Sequence, residues 1–247
     1  SFLAVLEGDL RALSAEARKS DGIAGWLTGS SFPEVKEAAE HAIIKLRSLP
    51  PGSEAPGRLV AGVQEVLQPF VLACDSRSVP LAVIGLGCLQ KLVANDGVAR
   101  DHIPKVVEVL GQFVEVYDEA VQLKTLQTVL TLLQSRSFPE DEPVLSRMLG
   151  LCFKLLSAPR ASNSVHTTAA ATLRQAVALI FDRVLATANA SSGAGGAGGA
   201  APAPPSPHTQ AALLLFDDLC HLAGGGAAPW LDVQPLPRVI VLDMLEY

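Results

Sequence analysis

Apolar residues recur at three- and four-residue spacing in one segment of this chain after another, and no segment reads as a strand. That spacing restricts the chain to helices, each with a face that must be buried. The clearest case is Val165 to Val184, VHTTAAATLRQAVALIFDRV, where Val165, Ala169, Leu173, Ala176, Val177, Ile180, Phe181 and Val184 share one side. Thr167, Ala170, Ala171, Arg174 and Ala178 share the other. Charge normally solvates an exposed helix face, so this small, nearly uncharged side is a candidate docking face.

Composition agrees with helices. The hydrophobic fraction is 49% and the aromatic fraction only 5%, so Leu, Val and Ala do the packing. A β-sandwich would need runs rich in Thr, Tyr, Phe and Trp. At 247 residues the chain is long enough for a real core in one or two domains. A formal net charge of −6 argues against nucleic acid, whose phosphates need a basic surface.

Eight helices can be placed before residue 188. The first runs Phe2 to Lys19, burying Phe2, Leu3, Leu6, Leu10, Leu13 and Ala17. A Gly/Ser-rich loop, Ser20 to Ser31, follows, with Trp26 and Leu27 tucked back onto the core. The second, PEVKEAAEHAIIKLR, opens on Pro33, buries Val35, Ala38, Ala39, Ala42, Ile43 and Leu46, and pairs Lys36 with Glu40. Pro50 to Gly57 breaks the pattern. The third spans Arg58 to Cys74 and is kinked at Pro69. The fourth, Pro80 to Ala94, contains Gly85 and Gly87, a pairing that implies close approach of a neighbouring helix.

A fifth helix spans Asp101 to Val116. The sixth, Asp118 to Gln134, has two apolar stripes, Leu123, Leu126, Leu130 and Leu133 on one side and Val121, Thr125, Val129 and Leu132 on another, so it lies between layers. The seventh runs Glu142 to Ser157, and the eighth is the Val165–Val184 stretch. The expected fold class is all-α, an armadillo/HEAT-like α-α superhelix of about eight to ten helices. Three regions are expected: a helical solenoid over 1–188, a Gly/Ala/Pro-rich flexible linker over 189–207, and the start of a further helical region over 208–247. The last fragment, PRVIVLDMLEY, reads as the beginning of something larger.

Little here points to catalysis. Gly193, Gly195 and Gly198 spell GxGxxG, but no strand precedes them and a proline tract follows, so they belong to the linker. His41, His102, His166, His208 and His221 lack metal-ligand spacing and read as surface or capping residues. Asp217–Asp218 and Glu140–Asp141–Glu142 are assigned to helix ends or polar faces. Cys74, Cys88, Cys152 and Cys220 are far apart and read as buried, reduced thiols. No catalytic, cofactor or metal residue is assigned, and no 18-residue apolar run exists to span a membrane. Lys154, Arg160, Arg174 and Arg183 form a locally basic quarter with Asp182 the one acid nearby, a candidate face for anionic lipid.

Several ordered segments are familiar. GDLRALSAEARK, PEVKEAAEHAIIKLR, LKTLQTVLTLL, the LCFKLL helix and TTAAATLRQAVALIFDRV occur in the order seen in one family. They resemble the N-terminal DCB (dimerisation and cyclophilin-binding) domain of the large Arf guanine-nucleotide exchange factors, and most of all its non-catalytic Golgi and endosome branch. LFDDLCHLAGGGAAPWL is similar to the opening of the HUS region that follows it. The Ser20–Ser31 insertion and the GAGGAGG tether depart from the usual pattern.

The resemblance implies an armadillo-like scaffold without enzymatic activity. It would act in vesicle trafficking, on the cytoplasmic side of trans-Golgi and endosome membranes. Its partners would be protein: a second copy, the HUS region, an Arf-like GTPase and a Dopey-type protein. The expected protein interface is Gln122, Lys124, Gln127, Thr167, Arg174 and Gln175, on the outer sides of the sixth and eighth helices. The alternative is a peripheral membrane module using Lys154, Arg160, Arg174 and Arg183.

Overall fold

The computed structural model describes residues 2–19, 32–49, 64–136, 141–192 and 206–245. Among them no strand forms, only an isolated bridge between Ala228 and Val233, and the fold is an all-α helical repeat. The helices are α1 Phe2–Lys19, α2 Pro33–Arg47, α3 Gln64–Asp75, α4 Val79–Ala94, α5 Ile103–Gly111, α6 Glu119–Gln134, α7 Glu142–Ser157, α8 Asn163–Ser192, α9 Pro207–Ala223 and α10 Arg238–Leu245. They divide into two compact units, Ser1–Phe138 and Pro139–Tyr247.

Local sequence explains where helices start. Pro33, Pro80, Pro104, Pro143 and Pro207 sit at the first or second position of α2, α4, α5, α7 and α9. There the missing N–H costs nothing and the fixed φ suits the helix. The Asp118 carboxylate accepts from the Val121 amide at 3.0 Å to cap α6, and Ser206 Oγ accepts from Thr209 at 3.2 Å to cap α9.

In the first unit α1 packs on α2 and α4, and α3 lies against α2, α4 and α5. Leu6, Leu10, Leu13 and Ala17 of α1 are buried, as are Val35, Ala39, Ala42 and Leu46 of α2. Charge pairs stitch their rims: Glu7 with Arg47 at 2.7 Å and Arg11 at 2.6 Å, and Asp9 with Lys91 at 2.7 Å. Glu40 bonds to Arg18 and Ser14. The Arg47 and Arg18 guanidiniums hold the Glu7 and Glu40 carboxyls below the usual carboxylate range.

Gly85 bears out the close approach expected in α4, since a Cβ there would lie 2.9 Å from the Phe70 carbonyl oxygen of α3. Gly87 does not, having nothing within 4 Å of its Cβ position. The single helix expected over Asp101–Val116 is instead a 3₁₀ turn at Arg100–His102, then α5, then a second 3₁₀ turn at Gln112–Glu115. Pro104 fixes where α-geometry begins, and Gly111 is a poor residue on which to continue it. The Ser20–Ser31 loop, Pro50–Gly57 and the GxGxxG glycines lie outside the described residues.

In the second unit α7 packs on α8 and α9, and α10 lies against α8 and α9. α7 is buried on nearly every side, with Met148, Leu149, Cys152, Phe153 and Leu155 fully enclosed. α8 buries Val165, Ala169, Leu173, Ala176, Val177 and Ile180, as its periodicity predicts, and continues to Ser192. α9 closes over this pair with Ala211, Ala212, Leu215, Leu219 and Leu222.

Candidate interaction surfaces

The six residues expected to form a protein interface are divided between the two units. Gln122, Lys124 and Gln127 belong to the first unit, Thr167, Arg174 and Gln175 to the second. Gln122 must be withdrawn: it is 2% exposed and its Nε2 has no hydrogen-bond partner. α6 is buried on two sides, so the strip left for polar residues is narrower than a simple two-face reading allows. Lys124 is half-buried and its Nζ donates to Gln90 Oε1 at 3.4 Å. Gln127 is exposed. On α8, Thr167 and Gln175 are exposed and Arg174 is half-buried.

The basic face is changed as well. Arg160 is exposed and Arg183 half-buried, but Lys154 Nζ meets Asp232 Oδ2 at 2.7 Å. Asp232 lies far along the chain, which is why Asp182 looked like the one neighbouring acid. The Lys154 ammonium holds the Asp232 carboxyl below the usual range.

That ion pair is one end of a contact that sequence reasoning missed. Glu142, Ser146, Gly150 and Lys154 recur every four residues and form one row along α7. The turn Ala228–Val233 lies across this row. Trp230 Nε1 donates to Glu142 Oε1 at 2.8 Å, and Ser146 Oγ donates to the Trp230 carbonyl. A Cβ on Gly150 would sit 2.4 Å from the Leu231 carbonyl oxygen. From α9, Asp218 accepts the Leu231 amide at 2.8 Å. The four-residue spacing was the available signal, but a row on one helix does not say what lies on it.

Asp218 therefore corrects the assignment of Asp217–Asp218 to a polar face, being 2% exposed. Burial raises its carboxyl, against the lowering effect of the Leu231 and Trp230 amides. The folded protein thus keeps this proton at a pH where the unfolded chain has lost it. The resulting stability is fully present below the ordinary Asp value and is lost as pH rises through the raised one. Thermal melts between about pH 4 and 7 should show that loss reduced in Asp218→Asn relative to the unsubstituted chain. Equal pH dependence in the two proteins would refute it.

Asp217 and His221 lie beside Asp218, with ligand atoms within 4.8 Å of one another. His221 Nδ1 is 3.5 Å from Asp217, and Asp218 is engaged by Leu231, so the trio reads as a histidine–carboxylate contact beside a turn cap. His166 Nε2 donates to the Ala158 carbonyl, 2.9 Å away, across the α7–α8 turn. Cys74, Cys88 and Cys152 are buried as expected, and burial raises all three thiols, Cys152 to about 12. Cys220 is exposed, contrary to expectation, because it lies on the outer side of α9.

No described helix is long and apolar enough to cross a membrane. Layered helices without strands among the described residues define a helical-repeat fold. A family model described as the Mon2/Sec7/BIG1-like dimerisation and cyclophilin-binding domain matches residues 1–188. The chain belongs to that family. It is 32% identical to the human Protein MON2 homolog over 98% of its own length and 29% identical to Protein MON2 of Saccharomyces cerevisiae over 98%. Similarity to the rat brefeldin A-inhibited guanine nucleotide-exchange protein 1 is 30% identity over 47% of the chain and 7% of that protein. The chain spans 14% of the length of the MON2 relatives.

Proposed function

We propose that this chain is a non-enzymatic interaction module that self-associates and helps assemble a trafficking complex on Golgi and endosome membranes. The observation that carries this reading is the family match over residues 1–188, whose description names dimerisation. An Arf-like GTPase and a Dopey-type protein are the further partners in this reading. The outer face of α8, where Thr167 and Gln175 are exposed beside Arg174, is the assigned contact surface. The lipid alternative begins one cation short, because Asp232 matches Lys154.

Light scattering on the chain across a concentration series tests self-association. A mass rising to that of a dimer is expected, with Gln175→Glu and Arg174→Glu each weakening association at unchanged melting temperature. Both substitutions without effect would move the contact off α8. A monomer at every concentration would remove self-association itself.

A further inference from the structure

We propose that the cavity between the α3–α4 turn and the 3₁₀ turn Gln112–Glu115 is a binding site for a short peptide segment of a partner protein, an apolar residue flanked by one acid and one base. The site lies within the first unit and shares no residue with the α8 surface, so either reading can fail alone.

The cavity measures about 590 Å³, within the range that takes a drug-sized ligand. Ala82 of α4, Phe113 of the 3₁₀ turn and Val121 of α6 are buried and supply its apolar lining. Asp75, Arg77 and Ser78 line it from the end of α3 and the turn that follows, and Glu115 lines it from the 3₁₀ turn. Asp75, Arg77 and Glu115 are exposed and, among the described residues, enter no ion pair.

Local structure leaves these groups unspent. Ser76 closes the α3–α4 turn, its Oγ donating to the Ala73 carbonyl at 2.6 Å and accepting the Ser78 amide at 3.3 Å. Ser78 stands at the N-cap of α4, and its hydroxyl makes no capping bond. Arg77 holds a left-handed φ of 57°, which glycine takes freely and arginine takes only at a cost. Strain of this kind gathers at functional positions, and here it falls on an unpaired guanidinium beside a cavity.

The charges select the occupant. A wholly apolar ligand would desolvate three ions without pairing them. A phosphate would meet two carboxylates against one guanidinium. A segment bearing both signs complements the rim. Its acid pairs with Arg77 and accepts from Ser78, its base pairs with Glu115 in the field of Asp75, and its apolar side chain lies on Phe113 and Val121.

The test titrates the full chain into fluorescein-labelled Gly-Glu-Leu-Lys-Gly and Gly-Lys-Leu-Glu-Gly, which present the two orders of charge, with Gly-Gln-Leu-Gln-Gly as control. Anisotropy should show one charged peptide saturating below about 1 mM and at least about tenfold tighter than the control. Arg77→Glu and Glu115→Lys should each weaken it about tenfold, and Arg77→Glu should recover affinity for Gly-Lys-Leu-Lys-Gly. No saturation of either charged peptide, a control that binds equally well, or indifference to Arg77→Glu would overturn the proposal. If Arg77→Glu unfolds the first unit, Arg77→Gly decides, because it relieves the left-handed φ while removing the cation. It should melt no lower than the unsubstituted chain yet bind about tenfold more weakly, and unchanged binding overturns the proposal.

Discussion

Gly85→Val is expected to destabilise the first unit by about 3 kcal/mol, lowering its melting temperature by roughly 10 °C. The Cβ position lies 2.9 Å from the Phe70 carbonyl oxygen, 3.1 Å from Cys74 Sγ and 3.2 Å from the Ala73 Cβ. One of those neighbours is helix backbone, which cannot yield without shifting α3 away from α4. Gly87→Ala on the same helix is the control. Nothing lies within 4 Å of its Cβ position, so only helix propensity acts, and a gain of about 0.5–1 kcal/mol is expected. Thermal melts of the two variants should move in opposite directions. Movement together would mean that α4 does not approach α3 at Gly85.

Phe153→Ala is expected to cost the second unit about 3–5 kcal/mol. Phe153 is fully enclosed in α7, a helix buried on nearly every side, so the cavity has little room to collapse. Hydrogen exchange of α7 and α8 amides measures the loss directly. A loss under about 1.5 kcal/mol would show that neighbouring side chains refill the space.

What the residues disclosed in advance follows from helical periodicity. α7 starts and stops where Pro143 and the break after Ser157 put it, and the buried side of α8 follows its spacing of three and four. The α5 region was not legible as three pieces, because apolar spacing runs on through Pro104 and Gly111. Gln122 was misplaced for a related reason. Periodicity assigns a side of a helix but not how wide the buried arc becomes when neighbours lie on two sides. Thr125 and Thr128 meet the same burial by donating to the Val121 and Lys124 carbonyls of their own helix, an option open to threonine.

The contacts of Glu142, Ser146, Gly150 and Lys154 were illegible for a different reason. Their partners lie in Pro229–Val233, a short segment after a run of glycines, where no periodicity exists to read. Asp218 shows a related gap: it lies between Leu215 and Leu222 on the buried side of α9, but nothing on that helix discloses the Leu231 amide it accepts. Family resemblance covered what periodicity could not for the domain as a whole, and the match over residues 1–188 agrees with it.

The four cysteines provide a readout that needs no engineering. Cys220 is exposed, whereas Cys74 and Cys88 are buried in the first unit and Cys152 in the second. A thiol reagent therefore modifies Cys220 at once and waits on opening events for the others. Mass spectrometry of the modified peptides times those events separately, so two of the slow thiols clock one half of the chain and the third clocks the other.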